Sequence, residues 1–134
     1  MRSLRFLLWL GLTLMSVAAF PLNAQTSVVL KIPFPFEVRD VTLPPGEYAV
    51  TTLTSTVLAI QSKEGRGSLL AFATTSYRWP RKLAPQLIFR RYGNEYFLAE
   101  AWWEGHGRAL VTSPREIELA RSIRQQQIAL LVTH

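Results

Sequence analysis

Apolar residues occupy every second position from Val28 to Val38: Val28, Leu30, Ile32, Phe34, Phe36 and Val38. Val29, Lys31, Pro33, Pro35 and Glu37 stand between them. A period of two is that of a strand with one face in a core. Pro33 and Pro35 cannot donate to a ladder, so this segment is expected at a sheet edge or bent. Residues 40–46 read as a turn, with Pro44-Pro45 fixing φ and Gly46 tolerating positive φ. Short β-branched runs follow at 47–53 and 56–62, joined around Thr54-Ser55. A charged glycine turn at 63–67 leads to a strand at 68–76. Residues 77–85 are the least regular. Strands at 86–92 and 95–103 flank Gly93-Asn94, a strong hairpin signal whose register stays open. Ser113-Pro114-Arg115-Glu116 has the form of a capping box with proline at the first helical position. It predicts a helix over 114–125, with Ile117, Leu119, Ala120 and Ile123 on its apolar side. Residues 128–132 read as a last short strand. The spacing suggests a mainly β domain: an antiparallel β-sandwich or open barrel of seven or eight strands carrying one C-terminal helix.

The N-terminal residues have a different pattern. Arg2 and Arg5 precede a nearly unbroken apolar run from Phe6 to Ala19, followed by Pro21-Leu22-Asn23-Ala24. Basic, apolar, then small is the order of a secretory signal peptide, expected to be cleaved after Ala24, or alternatively after Ala19. The run is short of the roughly 20 residues of a spanning helix, and no later segment reaches that length. Residues 25–134 would then form a single exported β-rich domain, periplasmic or extracellular, without a transmembrane segment.

Composition narrows the chemistry. The 134 residues include no cysteine and two histidines, with a net charge of +6. Disulfide scaffolds, thiolate metal sites and cysteine nucleophiles are excluded. No phosphate-cradling glycine loop or zinc-helix motif occurs, and no cofactor is expected. Arg66, Arg78, Arg81, Lys82, Arg90 and Arg91 occur with no acid between Glu64 and Glu95. They could form a basic patch for an anionic envelope polymer. Alternatively, Arg90 and Arg91 pair with Glu95 and Glu100 across the hairpin. Export disfavours nucleic acid as a partner.

Trp102 and Trp103 are neighbours on a strand and should point to opposite faces. Strict alternation groups Trp103 with Phe97, Ala99 and Ala101, and Trp102 with Tyr96, Leu98 and Glu100. An exposed Trp102, near Trp79 and Tyr77, would offer a platform for a sugar ring. Burial of both indoles under two sheets and a helix is the competing outcome, and large aromatics usually serve packing. Glu104 and His106, in a glycine-rich turn, are the nearest approach to a hydrolytic pair, but lack a third positioned group.

Pro33-Phe34-Pro35-Phe36-Glu37-Val38, Thr42-Leu43-Pro44-Pro45-Gly46-Glu47-Tyr48 and Phe89-Arg90-Arg91-Tyr92-Gly93-Asn94-Glu95-Tyr96-Phe97-Leu98 are the most distinctive segments. Together they resemble a group of small exported proteins common in acidobacteria, with Pro45 where alanine is usual. The resemblance implies export and a β-rich fold and carries over no catalytic residue. The expectation is a non-catalytic module with a structural or interaction role at the cell envelope, its partner an anionic polymer or another envelope protein. A polymer-binding module using Trp102 or Trp79, with Tyr77, Arg81, Lys82, Arg90 and Arg91 around it, is the alternative. A hydrolase around Glu104 and His106 is the weakest reading.

Overall fold

Proline divides the first alternating run. In the computed structural model, which describes residues 27–76, 84–103 and 106–132, β1 (Ser27–Ile32) stops before Pro33, and β2 (Phe36–Val38) starts after Pro35. The expected edge position and the expected bend both occur: β1 pairs with one neighbour, and Phe34 lies in the bend. Next come β3 (Val41–Leu43), β4 (Gly46–Thr52), β5 (Val57–Ser62) and β6 (Ser68–Ser76). They are followed by β7 (Gln86–Tyr92), β8 (Glu95–Trp103), β9 (His106–Leu110), α1 (Pro114–Ser122) and β10 (Gln125–Leu131). Among the described residues the chain is mainly β with one helix, near its C-terminus, and the sheet is open. The described strands number ten, more than the expected seven or eight. The proline bend, β3 inside the expected turn, and β9 inside the expected glycine-rich turn make up the difference. The leader expected over 1–24 lies outside the described residues. Among the described residues no helix is long and apolar enough to cross a membrane.

The path runs β1-β4-β5-β6-β9-β8-β2-β3, with β7 on the other edge of β8 and β10 beyond it. One edge of β8 is shared: β9 pairs with its end, from Glu100 to Trp103, and β2 runs parallel to its beginning at Glu37↔Phe97. Every other pairing is antiparallel. A single apolar cluster joins Val28, Leu30 and Ile32 of β1 to Tyr48, Val50, Leu58 and Ile60, and to Leu87, Phe89, Leu98 and Trp103 from the far half of the path. Phe36 stands edge-on to both Tyr48 and Phe89, at 5.0 and 5.7 Å between ring centroids. Phe34 stacks on Tyr96 at 3.8 Å. These rings are what the alternating phenylalanines contribute: apolar area and edge-to-face contacts at the join between the two halves.

A bulge decides which way β8 faces. The β7–β8 register shifts between Ile88 and Phe89, so that Ile88 opposes Glu100 and Phe89 opposes Leu98. Ala99 is the extra residue. One inserted residue reverses every side chain beyond it. Trp103 therefore shares the core face with Ala101 and Leu98, while Trp102 falls on the face of Glu100 and Phe97. This corrects the grouping that strict alternation implies.

Candidate functional site

The described members of the predicted site, Trp102, Arg90 and Arg91, do not come together as a site. Trp102 is 1% and Trp103 6% exposed, so the favoured outcome, burial of both indoles, holds and the alternative of a stacking platform at Trp102 does not. Its Nε1 donates to Glu100 at 2.7 Å, and Gly107 of β9, directly opposite in register, lies flat against its ring. Tyr77, Trp79, Arg81 and Lys82 lie outside the described residues, as does Glu104. His106 opens β9, exposed and opposite Trp103. Among the described residues no three metal-ligating side chains gather.

Arg90 and Arg91 are committed to partners within the fold. The hairpin turns through Gly93-Asn94, with Gly93 at φ 61, which pairs Tyr92 with Glu95, Arg91 with Tyr96 and Arg90 with Phe97. Both arginines thus oppose aromatic residues, and the expected cross-hairpin pairing with Glu95 and Glu100 does not form. Arg91 donates to the Gly93 carbonyl at 2.6 Å and lies over the Tyr96 ring. Arg90 binds the carboxylate of Glu116 through both Nε and Nη2.

Glu116 is the anchor of α1. It is 2% exposed and accepts from Arg90 and from the Tyr92 hydroxyl, while Ser113 caps its backbone N–H. The bidentate guanidinium contact is the geometry that compensates a buried carboxylate. Burial would lower the Arg90 pKa, but the hydrogen bond and charge of Glu116 outweigh it and hold the value above normal. Burial and the Glu116 charge likewise push the Tyr92 hydroxyl up. The next arginine, Arg115, bridges Glu95 at 2.7 Å and Glu37 at 3.6 Å. Burial nonetheless raises the Glu37 pKa, against the pull of Arg115. The helix is therefore docked by charge, and its expected apolar side is largely in solvent, with Ile117 47% and Ile123 39% exposed.

The feature that sequence reasoning missed lies where α1 begins. Along β6 the small residues Ala71 and Ala73 are buried, while Leu70 and Phe72 point outward, 52% and 60% exposed. Val111, whose N–H donates to the Phe72 carbonyl, is 65% exposed beside it. The β2–β3 hairpin closes over this pair. Val38 pairs with Val41, and the two turn residues Arg39 and Asp40 both take positive φ, 50 and 64. A two-residue hairpin demands such angles and usually recruits Asn-Gly; an arginine there is strained. Arg39 is held by its side chain, which donates to the Leu70 carbonyl at 2.7 Å and lies 5.5 Å over the Phe72 ring. Arg39, Asp40, Phe72, Val111, Thr112, Ser113 and Pro114 enclose a groove of about 250 Å³.

Comparison with known proteins places no relative beside this groove. No family model, no curated protein and no solved structure matches the chain.

The chemistry of the groove is that of contact. Its serine is used as a helix cap, its arginine is hydrogen-bonded to a backbone carbonyl, and its floor is an aromatic ring and a valine. Asp40 and Arg39 give the rim one charge of each sign. The available space suits an apolar side chain flanked by polar backbone, with Phe72 able to pack against it.

Proposed function

We propose that this chain is an exported, non-catalytic interaction module of the cell envelope, and that the groove beside the Arg39-Asp40 turn is its contact site for another envelope protein. One observation carries this reading: Phe72 and Val111 are the two most exposed large apolar residues described, and they are neighbours in the same groove, joined by the Val111 N–H to Phe72 carbonyl bond just past the end of β9. Exposed apolar side chains are common singly, but contiguous ones beside a concave surface mark interaction sites. The basic-apolar-small order of residues 1–24 supports export. The commitment of Arg90 and Arg91 within the fold removes two cations from the anionic-polymer alternative.

The test is retention in native envelopes. Chain recovered in the envelope fraction should hold its partner through a high-salt wash, since apolar contact is not screened as charge pairs are. Phe72→Ser with Val111→Ser should release that same partner, while Ile117→Ser, at an exposed apolar residue elsewhere, should not. Chain confined to the cytoplasm, or a partner stripped by salt and indifferent to the double substitution, overturns the proposal.

A further inference from the structure

An open sheet ends in edges, and an edge strand offers unpaired N–H and C=O groups to any other strand. Three strands end the paths of this sheet: β1, β3 and β10. Two carry recognised protection. β1 contains the exposed Lys31 and is followed by Pro33 and Pro35, and β3 is three residues long with Pro44-Pro45 after it. The third carries none. β10 is seven residues, Gln-Gln-Gln-Ile-Ala-Leu-Leu, without charge or proline. It pairs with β7 along its entire length, and among the described residues nothing pairs with its outer side.

The register shows which groups are free. Val132 N–H donates to the Pro85 carbonyl, which places Val132 in the inward-bonded set. Hydrogen bonding alternates along an antiparallel strand, so Leu130, Ile128 and Gln126 also bond β7. Leu131, Ala129, Gln127 and Gln125 direct their backbone N–H and C=O outward. The side chains follow the same alternation: Leu130 packs against the core, while Leu131 is 58% exposed.

We infer that β10 pairs with β10 of a second copy of this chain, antiparallel about a two-fold axis at Ile128. In that register Gln125 opposes Leu131 and Gln127 opposes Ala129 of the other copy. Every outward-directed residue thus meets another outward-directed residue, and no backbone group on either edge is left over. Ile128 meets its own counterpart as a non-hydrogen-bonded pair, with the core-facing row running continuously through the axis. The charge pattern favours a second copy. The chain is basic overall, yet self-pairing places no like charges opposite each other: Arg124, just before the strand, faces Val132. Two-fold symmetry with the same patch on both sides is the commonest form of assembly.

The test uses the full chain after leader removal and follows mass by light scattering across a dilution series. The expected result is a reversible doubling of mass on concentration. Ala129→Pro removes an outward N–H while sparing the β7 ladder, a position where an edge strand tolerates proline. Leu131→Lys adds the charge that the edge lacks. Both variants should remain at monomer mass with unchanged circular dichroism, and Leu131→Lys decides the matter if the proline variant fails to fold. The absence of cysteine permits a check of register. Facing Cα atoms in a non-hydrogen-bonded pair are about 4.5 Å apart, within disulfide reach. Ile128→Cys should therefore cross-link to itself on oxidation, and Val29→Cys on β1 should not. A wild-type chain that stays monomeric, a dimer untouched by both edge variants, or open-ended assembly beyond the dimer overturns the inference.

Discussion

Replacing Gly107 with alanine isolates one contact. A Cβ at this position would lie 2.7 Å from Cη2, Cζ2 and Cζ3 of Trp102, a separation that real Cβ atoms do not adopt. The indole cannot simply move away, because it is buried and its Nε1 is tied to Glu100. Gly107 is not among the positive-φ glycines, so no backbone strain enters the comparison. Overpacking of a buried site costs about 1–3 kcal/mol, while replacing glycine by alanine at an unstrained position returns about 0.4–1 kcal/mol through the unfolded state. The net expectation is a loss of about 1–2 kcal/mol, or a fall in Tm of roughly 4–16 °C for a domain near 100 residues. Thermal and urea unfolding measure it, and near-ultraviolet circular dichroism reports the displaced indole. In a Trp102→Leu background the same alanine should cost less, with a coupling of about 1–2 kcal/mol. A Gly107→Ala protein as stable as wild type, or equal losses in both backgrounds, refutes the close approach as the reason for glycine.

The remaining predictions concern the charges under α1. Glu116→Ala leaves the Arg90 guanidinium, 21% exposed, without its partner, and should cost about 3 kcal/mol by urea unfolding; a loss within experimental error would show that the pair does not anchor the helix. Glu37 titrates above its ordinary value because of burial, so in the native state its carboxyl keeps a proton that the unfolded chain has released. Its contribution is therefore fully present below about pH 4.5 and is lost as pH rises through the raised native value. Glu37→Gln should accordingly raise Tm at neutral pH, with the advantage vanishing in acid; lower stability at pH 7 would mean that the Arg115 contact outweighs burial.

Where alternation and turn residues agree, the pattern of the chain specifies the fold to the residue. The strands expected at 68–76, 86–92 and 95–103 coincide with β6, β7 and β8, because each is a single run that starts directly after a glycine, proline or asparagine: Gly67, Pro85 and Asn94. The direction that side chains face was less legible. The bulge at Ala99 carries no glycine or proline to announce it, yet it puts Leu98 rather than Phe97 on the row of Trp103. β6 has apolar residues on both rows, and the rule that large residues go inward selects the wrong one. Ala71 opposes Leu58, and Ala73 opposes Leu110; their bulk fills the core and leaves room only for alanine. β10 begins at Gln125 rather than near Ile128, since three glutamines signal no strand until the β7 edge pairs with them. The glycines around β9 signal a turn, although Gly107 is there because the indole of Trp102 occupies the space of a side chain.

The same exchange of roles explains how the groove came to be exposed. An amphipathic helix normally covers a sheet with its apolar side, and such a helix at this position would bring its own leucines or isoleucines down onto the sheet. Here the buried position is taken by Glu116 at the third residue of α1, one turn from the cap, so the helix is pinned at its N-terminal end and its isoleucines remain in solvent. That pin also positions Thr112, Ser113 and Pro114, which form one wall of the groove, while Arg115 reaches to Glu37 on the strand that leads into the opposing Arg39-Asp40 turn. The two walls are therefore linked through adjacent residues of a single helical turn. Loosening Glu116 should weaken partner retention as well as stability, whereas loss of the Phe72 and Val111 side chains should weaken retention alone.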